Sequence, residues 1–90
     1  MAERALRVLP KRFVYLLESL AEPGRPYVGL TSDVPNRPAA HNAGHSAHTA
    51  RHKPWRLVVT IASADERAAA RFEEYLKSGS GRAFTKKHFA

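Results

Sequence analysis

The chain has 90 residues and no cysteine, and it carries 15 Lys and Arg against 8 Asp and Glu, a formal charge of +7 before its five histidines are counted. A disulfide scaffold and a thiolate metal centre are excluded, and a hydrophobic content of 43% supports one small ordinary core. No apolar run is long enough to cross a bilayer and Met1 to Lys11 is charged throughout, so a cytoplasmic, soluble protein without a signal peptide is expected, with a positive field suited to a phosphate backbone.

Residues 1–11 are expected to be a flexible segment ahead of a single domain over residues 12–90. Arg12 to Leu20 (RFVYLLESL) is rich in aromatic and β-branched residues and reads as a strand. Pro23-Gly24 signals a turn, and YVGLT from Tyr27 to Thr31 resumes strand chemistry, which predicts a hairpin. Thr31, Ser32 and Asp33 offer capping side chains to a helix over Val34 to Asn42, with Gly44 placed to stop it. Pro35 suits a first turn, whereas Pro38 removes a backbone donor and is expected to distort the helix.

Pro54 to Ala62 (PWRLVVTIA) is the clearest strand, and its run of Leu57, Val58, Val59 and Ile61 predicts a central strand covered on both faces. Trp55 is expected to pack the core beside it. Ser63 followed by Glu66 matches a capping box for a helix from Ala64 to Lys77, which Gly79 would end. The apolar stripe of that helix is Ala68, Ala69, Phe72, Tyr75 and Leu76; Glu73 borders it, with Lys77 one turn on as a helix-pair partner. Gly-Ser-Gly then reads as a tight turn into one or two basic helical turns packed by Phe84 and Phe89. The sum is an α+β domain in the order β-β-α-β-α plus a short C-terminal helix, with a three-stranded antiparallel sheet flanked by helices.

FVY at Phe13 to Tyr15 and YVG at Tyr27 to Gly29, on consecutive strands, resemble the paired motifs of the GIY-YIG nuclease superfamily. The resemblance continues through GLTSDVPNRPAAHNAG, HT at His48-Thr49, PW at Pro54-Trp55 and AARFEEYLKSGSGRAF, and it covers Phe13 to Phe89. It is similar to small stand-alone bacterial members and to the nuclease subunit of structure-specific resolvases. The resemblance implies an endonuclease in which Glu73 holds one Mg²⁺ (or Mn²⁺), Tyr27 accepts a proton from the attacking water, and Tyr15 is its hydrogen-bonding neighbour. It further implies that Arg37 binds the scissile phosphate and that His41, one helical turn later, orients the tyrosine pair. The expected substrate is nucleic acid, DNA favoured over RNA, in branched, flapped or single-stranded form in a repair setting, with no membrane involved. A protein partner or a homodimer is compatible with this.

The basic residues are spread over the chain rather than gathered in a tail, which predicts a basic face; His48, Arg51, Lys53, Arg82, Lys86 and Lys87 are its candidate nucleic-acid contacts. His45, His52 and His88 are expected to be solvated or phosphate-adjacent. The alternative to an enzyme is a nucleic-acid-binding module of the same fold with weak or absent catalysis.

Overall fold

Strand β1 (Arg12–Ser19) occupies the middle of a three-stranded sheet in the order β2-β1-β3, antiparallel to both β2 (Pro26–Thr31) and β3 (Trp55–Ser63). The coordinates are a computed structural model and describe residues 12–34, 36–44 and 46–89; the expected flexible segment, residues 1–11, lies outside them, as does His45. Among the described residues four helices accompany the sheet: α1 (Asn36–Asn42), α2 (Ala47–Ala50), α3 (Glu66–Lys77) and α4 (Gly79–His88).

The expectation that the third strand is central is corrected. The unbroken apolar run that marks a strand covered on both faces belongs to β1, where Val14, Tyr15, Leu16 and Leu17 are all buried. β3 is an edge strand with several exposed positions, and a bulge where Leu16 pairs Val59 but Leu17 pairs Leu57 sets Val58 out of the ladder. Its Leu-Val-Val run therefore does not report two covered faces.

Alternation along β1 splits the core in two. Val14 and Leu16 face one way and join Val28, Ala69 and Leu76 in the cluster beneath α3, with Phe72, Phe84 and Phe89 at its margin. Tyr15 and Leu17 face the other way and meet Trp55 and Tyr27.

Local signals account for the helix ends, with three corrections. The regular ladder of α1 starts at Asn36 rather than Val34, because Pro38 has no N–H to offer the Val34 carbonyl; Arg37 N still bonds Asp33 O at 3.3 Å. At its end Gly44 adopts a positive φ of 81° and its N–H bonds His41 O at 3.1 Å. The cap of α3 is Asp65, whose carboxylate accepts from Arg67 N and Ala68 N, while Ser63 Oγ accepts from Asp65 N one step earlier. Ser63 and Glu66 thus match the capping-box spacing without forming one.

Gly79, Ser80 and Gly81 are the first turn of α4 rather than a turn ahead of it, capped by Ser78 Oγ accepting from Gly81 N. α4 is ten residues long, more than the one or two turns expected. Gly81 is there for contact: a Cβ would lie 1.9 Å from Tyr75 O, so only glycine lets α4 turn back against the end of α3. The short helix α2 is absent from the sequence-based expectation.

Candidate active site

The tyrosine-bearing face of the sheet is roofed by α1 and α2, and Trp55 and Asn42 hold that roof down. The Asn42 side chain accepts from Trp55 N at 2.5 Å and donates to Trp55 O at 3.1 Å, while the Trp55 indole N–H donates to Thr49 O at 2.9 Å. Trp55 is 5% exposed, in line with the core role expected of it.

Pairing places Tyr15 opposite Gly29 and Leu17 opposite Tyr27, so both tyrosine rings rise from the same face. Gly29 is the residue that admits the first ring, since a Cβ there would stand 2.4 Å from Tyr15 Oη. His41, in the last turn of α1, closes over them: its ring centroid lies 4.8 Å from that of Tyr27 and 5.8 Å from that of Tyr15. Tyr15 Oη is 2.9 Å from His41 Nε2, and His41 Nδ1 is 2.7 Å from Thr49 Oγ1. Tyr15, His41 and Thr49 are each 1% exposed, so this polar chain is buried and fully partnered.

Burial pushes the Tyr15 phenol up, the positive Arg37 pulls it down and the neighbouring Tyr27 pushes it up again; the net direction is upward. Burial, and then the Arg37 charge, lower His41. One helical turn separates Arg37 from His41, which puts both on one face of α1.

Glu73 enters from α3, with a side chain only 14% exposed and Oε2 2.6 Å from Lys77 Nζ. Lys77 is raised chiefly by its hydrogen bond to Glu73, against a lowering by burial and with weaker support from the charges of Glu73, Tyr27 and Glu74, and it lines one groove with Tyr27. No cluster of three or more metal-ligating side chains occurs among the described residues. A cation site here would rest on the Glu73 carboxylate alone. That fits a hard ion that keeps most of its waters and takes further oxygens from a phosphate, and it does not fit a tightly caged structural metal.

A groove of about 810 Å³ opens beside Tyr27, with Lys77, Arg82, Lys86 and His48 among its lining residues and Leu16, Val28 and Leu76 in its floor. His48 is exposed and its ring centroid is 6.2 Å from that of Tyr27. Of the six candidate nucleic-acid contacts, His48, Arg82 and Lys86 share this groove; Arg51, Lys53 and Lys87 are exposed and do not line it. His52 is half-buried rather than solvated, with Nδ1 3.0 Å from Glu22 Oε2, whereas His88 is exposed. Sequence reasoning missed Thr49 and Lys77 as members of the assembly. Lys77 was legible as a helix-pair partner, but its approach to Tyr27 depends on how α3 crosses the sheet.

The family model described as the GIY-YIG catalytic domain matches residues 11–87. Among curated proteins, the chain is similar to the "Structure-specific endonuclease subunit SLX1" of Scheffersomyces stipitis, with 39% identity over 64 residues, covering 63% of this chain. The chain spans 19% of the length of that relative.

Proposed function

We propose a function from one premise: this chain belongs to the GIY-YIG catalytic-domain family. It is a nuclease that hydrolyses phosphodiester bonds within nucleic acid, acting on DNA of branched, flapped or single-stranded form in a repair setting and depending on Mg²⁺ or Mn²⁺. A protein partner is part of the proposal, because the relative from S. stipitis is named a subunit.

The observation that carries this reading is the convergence of Tyr15, Tyr27 and His41, with Arg37 one turn before His41 on the same helix and with Tyr27 lining a groove that also carries Lys77, Arg82 and Lys86. Phosphodiester hydrolysis needs a proton acceptor for water, positive charge at the phosphoryl oxygens and support for the departing oxygen. Tyr27 is the more open of the two phenols and stands at the groove, so it can release its own proton to solvent and, as the phenolate, take the water's proton. Tyr15, buried against Gly29 and His41, orients Tyr27 rather than meeting substrate. Arg37 neutralises the scissile phosphate, and Glu73 would hold the cation. When bound, that cation polarises the phosphoryl group and stabilises charge on the leaving oxygen. Arg82 and Lys86 bind the backbone beyond the cut.

The test incubates labelled single-stranded, flapped and duplex DNA, and matching RNA, with the protein plus Mg²⁺, Mn²⁺ or a chelator. Cleavage by the wild type that is lost with chelator, in Glu73→Gln and in Arg37→Ala is the expected result. Cleavage that survives both substitutions overturns the assignment. One observation favours the second reading, a binding module without effective catalysis: the Lys77 ammonium already occupies the Glu73 carboxylate. Salt-sensitive binding with no cleavage under any metal selects that reading.

A further inference from the structure

Thr49 is 1% exposed and lies on a four-residue helix to which the reaction above assigns no part. A hydroxyl has one proton to give, and that of Thr49 has two acceptors near it: His41 Nδ1 at 2.7 Å and the Ser46 carbonyl at 3.4 Å. The Ser46 carbonyl already receives the backbone N–H of Thr49 at 3.2 Å and that of Ala50 at 2.9 Å, which engages both of its lone pairs. Distance and free acceptor capacity both send the Thr49 proton to Nδ1.

The consequence runs through the ring. A neutral imidazole has one donor and one acceptor nitrogen, so a His41 that accepts at Nδ1 carries its proton on Nε2. Burial and the Arg37 charge keep it neutral. Nε2–H then donates to Tyr15 Oη, which displaces the Tyr15 phenol proton from that contact and leaves it free to turn toward Tyr27, whose ring centroid lies 6.1 Å from that of Tyr15.

We propose that Thr49 is a positioning residue that fixes His41 as the Nε2–H tautomer, so that Thr49, His41 and Tyr15 donate in one direction and the Tyr27 oxygen receives the last bond. An oxygen that receives a hydrogen bond better supports negative charge, which Tyr27 must carry as the phenolate before it takes the water's proton. The opposite tautomer would draw the Tyr15 proton into the imidazole and leave Tyr27 without a donor. The inference rests on Tyr27 acting as the proton acceptor; its structural half stands apart from that.

The experiment has two arms, ¹⁵N NMR of the imidazole nitrogens and the pH dependence of cleavage, applied to the wild type, Thr49→Val and Thr49→Ser. The wild type is expected to show the Nε2–H tautomer. Thr49→Val keeps the shape without the hydroxyl; it should lose the tautomer preference, shift the pH–kcat limb for the proton acceptor upward, and lower kcat about tenfold with little change in KM. Thr49→Ser should restore all three. An Nδ1–H wild type, a valine variant with wild-type tautomer and pH profile, or a serine variant that fails to rescue overturns the proposal. Should the valine variant not fold, the wild-type spectrum decides alone. A wild type that cuts nothing sinks the nuclease reading, while the spectrum still judges the tautomer.

Discussion

Gly29 lies directly beneath the Tyr15 ring, and the space a Cβ would fill there is taken by the phenol oxygen and its carbon at 2.4 and 2.5 Å. Gly29→Ala should therefore lift the ring off its seat, breaking the 2.9 Å contact with His41 and costing about 1–3 kcal/mol of overpacking. Urea unfolding and cleavage of a flapped DNA measure the two effects. A variant with full stability and full activity would show that Tyr15 has room to move.

The buried histidine and phenol set opposite pH limits on the fold. His41 is held below its ordinary 6.5 by burial and by Arg37, so the unfolded chain binds that proton first; stability complete above pH 6.5 is lost as pH falls toward the folded value. Tyr15 is held above 10.0, chiefly by burial, so the unfolded chain releases that proton first and stability is lost as pH rises past 10.0. Denaturant titrations on both sides of these values should show the two declines. The acid-side slope should flatten in His41→Gln and the alkaline one in Tyr15→Phe; a slope unchanged by its substitution refutes its attribution.

Arg82, Thr85, Lys86 and Phe89 line the groove from a single face of α4, at three-to-four spacing. Replacing Arg82 and Lys86 together by Ala should weaken binding of single-stranded DNA and make its salt dependence shallower by about 1.4 in the log–log slope, the share of two phosphate contacts. Lys87→Ala, exposed and outside the groove, should bind as wild type. Fluorescence anisotropy without divalent ions separates binding from cutting. Equal losses in the two proteins would mean that net charge, not the groove, governs affinity.

Two glycines at the head of α4 should respond in opposite ways. Gly81→Ala drives a Cβ into the Tyr75 carbonyl, a rigid neighbour, and should cost at least about 2 kcal/mol. Gly79→Ala meets nothing within 4 Å and should be neutral or slightly stabilising. Thermal unfolding of the pair tests whether α4 is pinned to α3 through residue 81.

The legibility of the sequence varied with how local each determinant is. The hairpin, the Gly44 stop and the spacing of Arg37 and His41 depend on near neighbours, and they read correctly from the chain. β3 misled because apolar density measures hydrophobicity rather than position in a sheet, and the bulge at Val58 hides the alternation that would have marked an edge. Asp65 outcompeted Ser63 as the cap of α3 because its carboxylate reaches two backbone donors, which no spacing rule distinguishes. Thr49 entered only as part of the HT pair in the family resemblance, with no role attached: a threonine in a polar stretch acquires its role only when α1 brings His41 to it across eight residues.

The division of the site between elements has one more consequence. Tyr15, Tyr27, Arg37 and His41 precede the loop around Gly44, whereas Thr49 and Glu73 follow it, and the middle strand of the sheet is flanked by one neighbour from each side of that loop. Severing the chain there would yield an amino-terminal fragment with Tyr15 and Tyr27 but not Glu73, and a carboxy-terminal fragment with Glu73 but neither of those tyrosines. Neither half alone could cut, and mixing them would regenerate turnover only through reassociation, which makes the module a natural candidate for a split reporter.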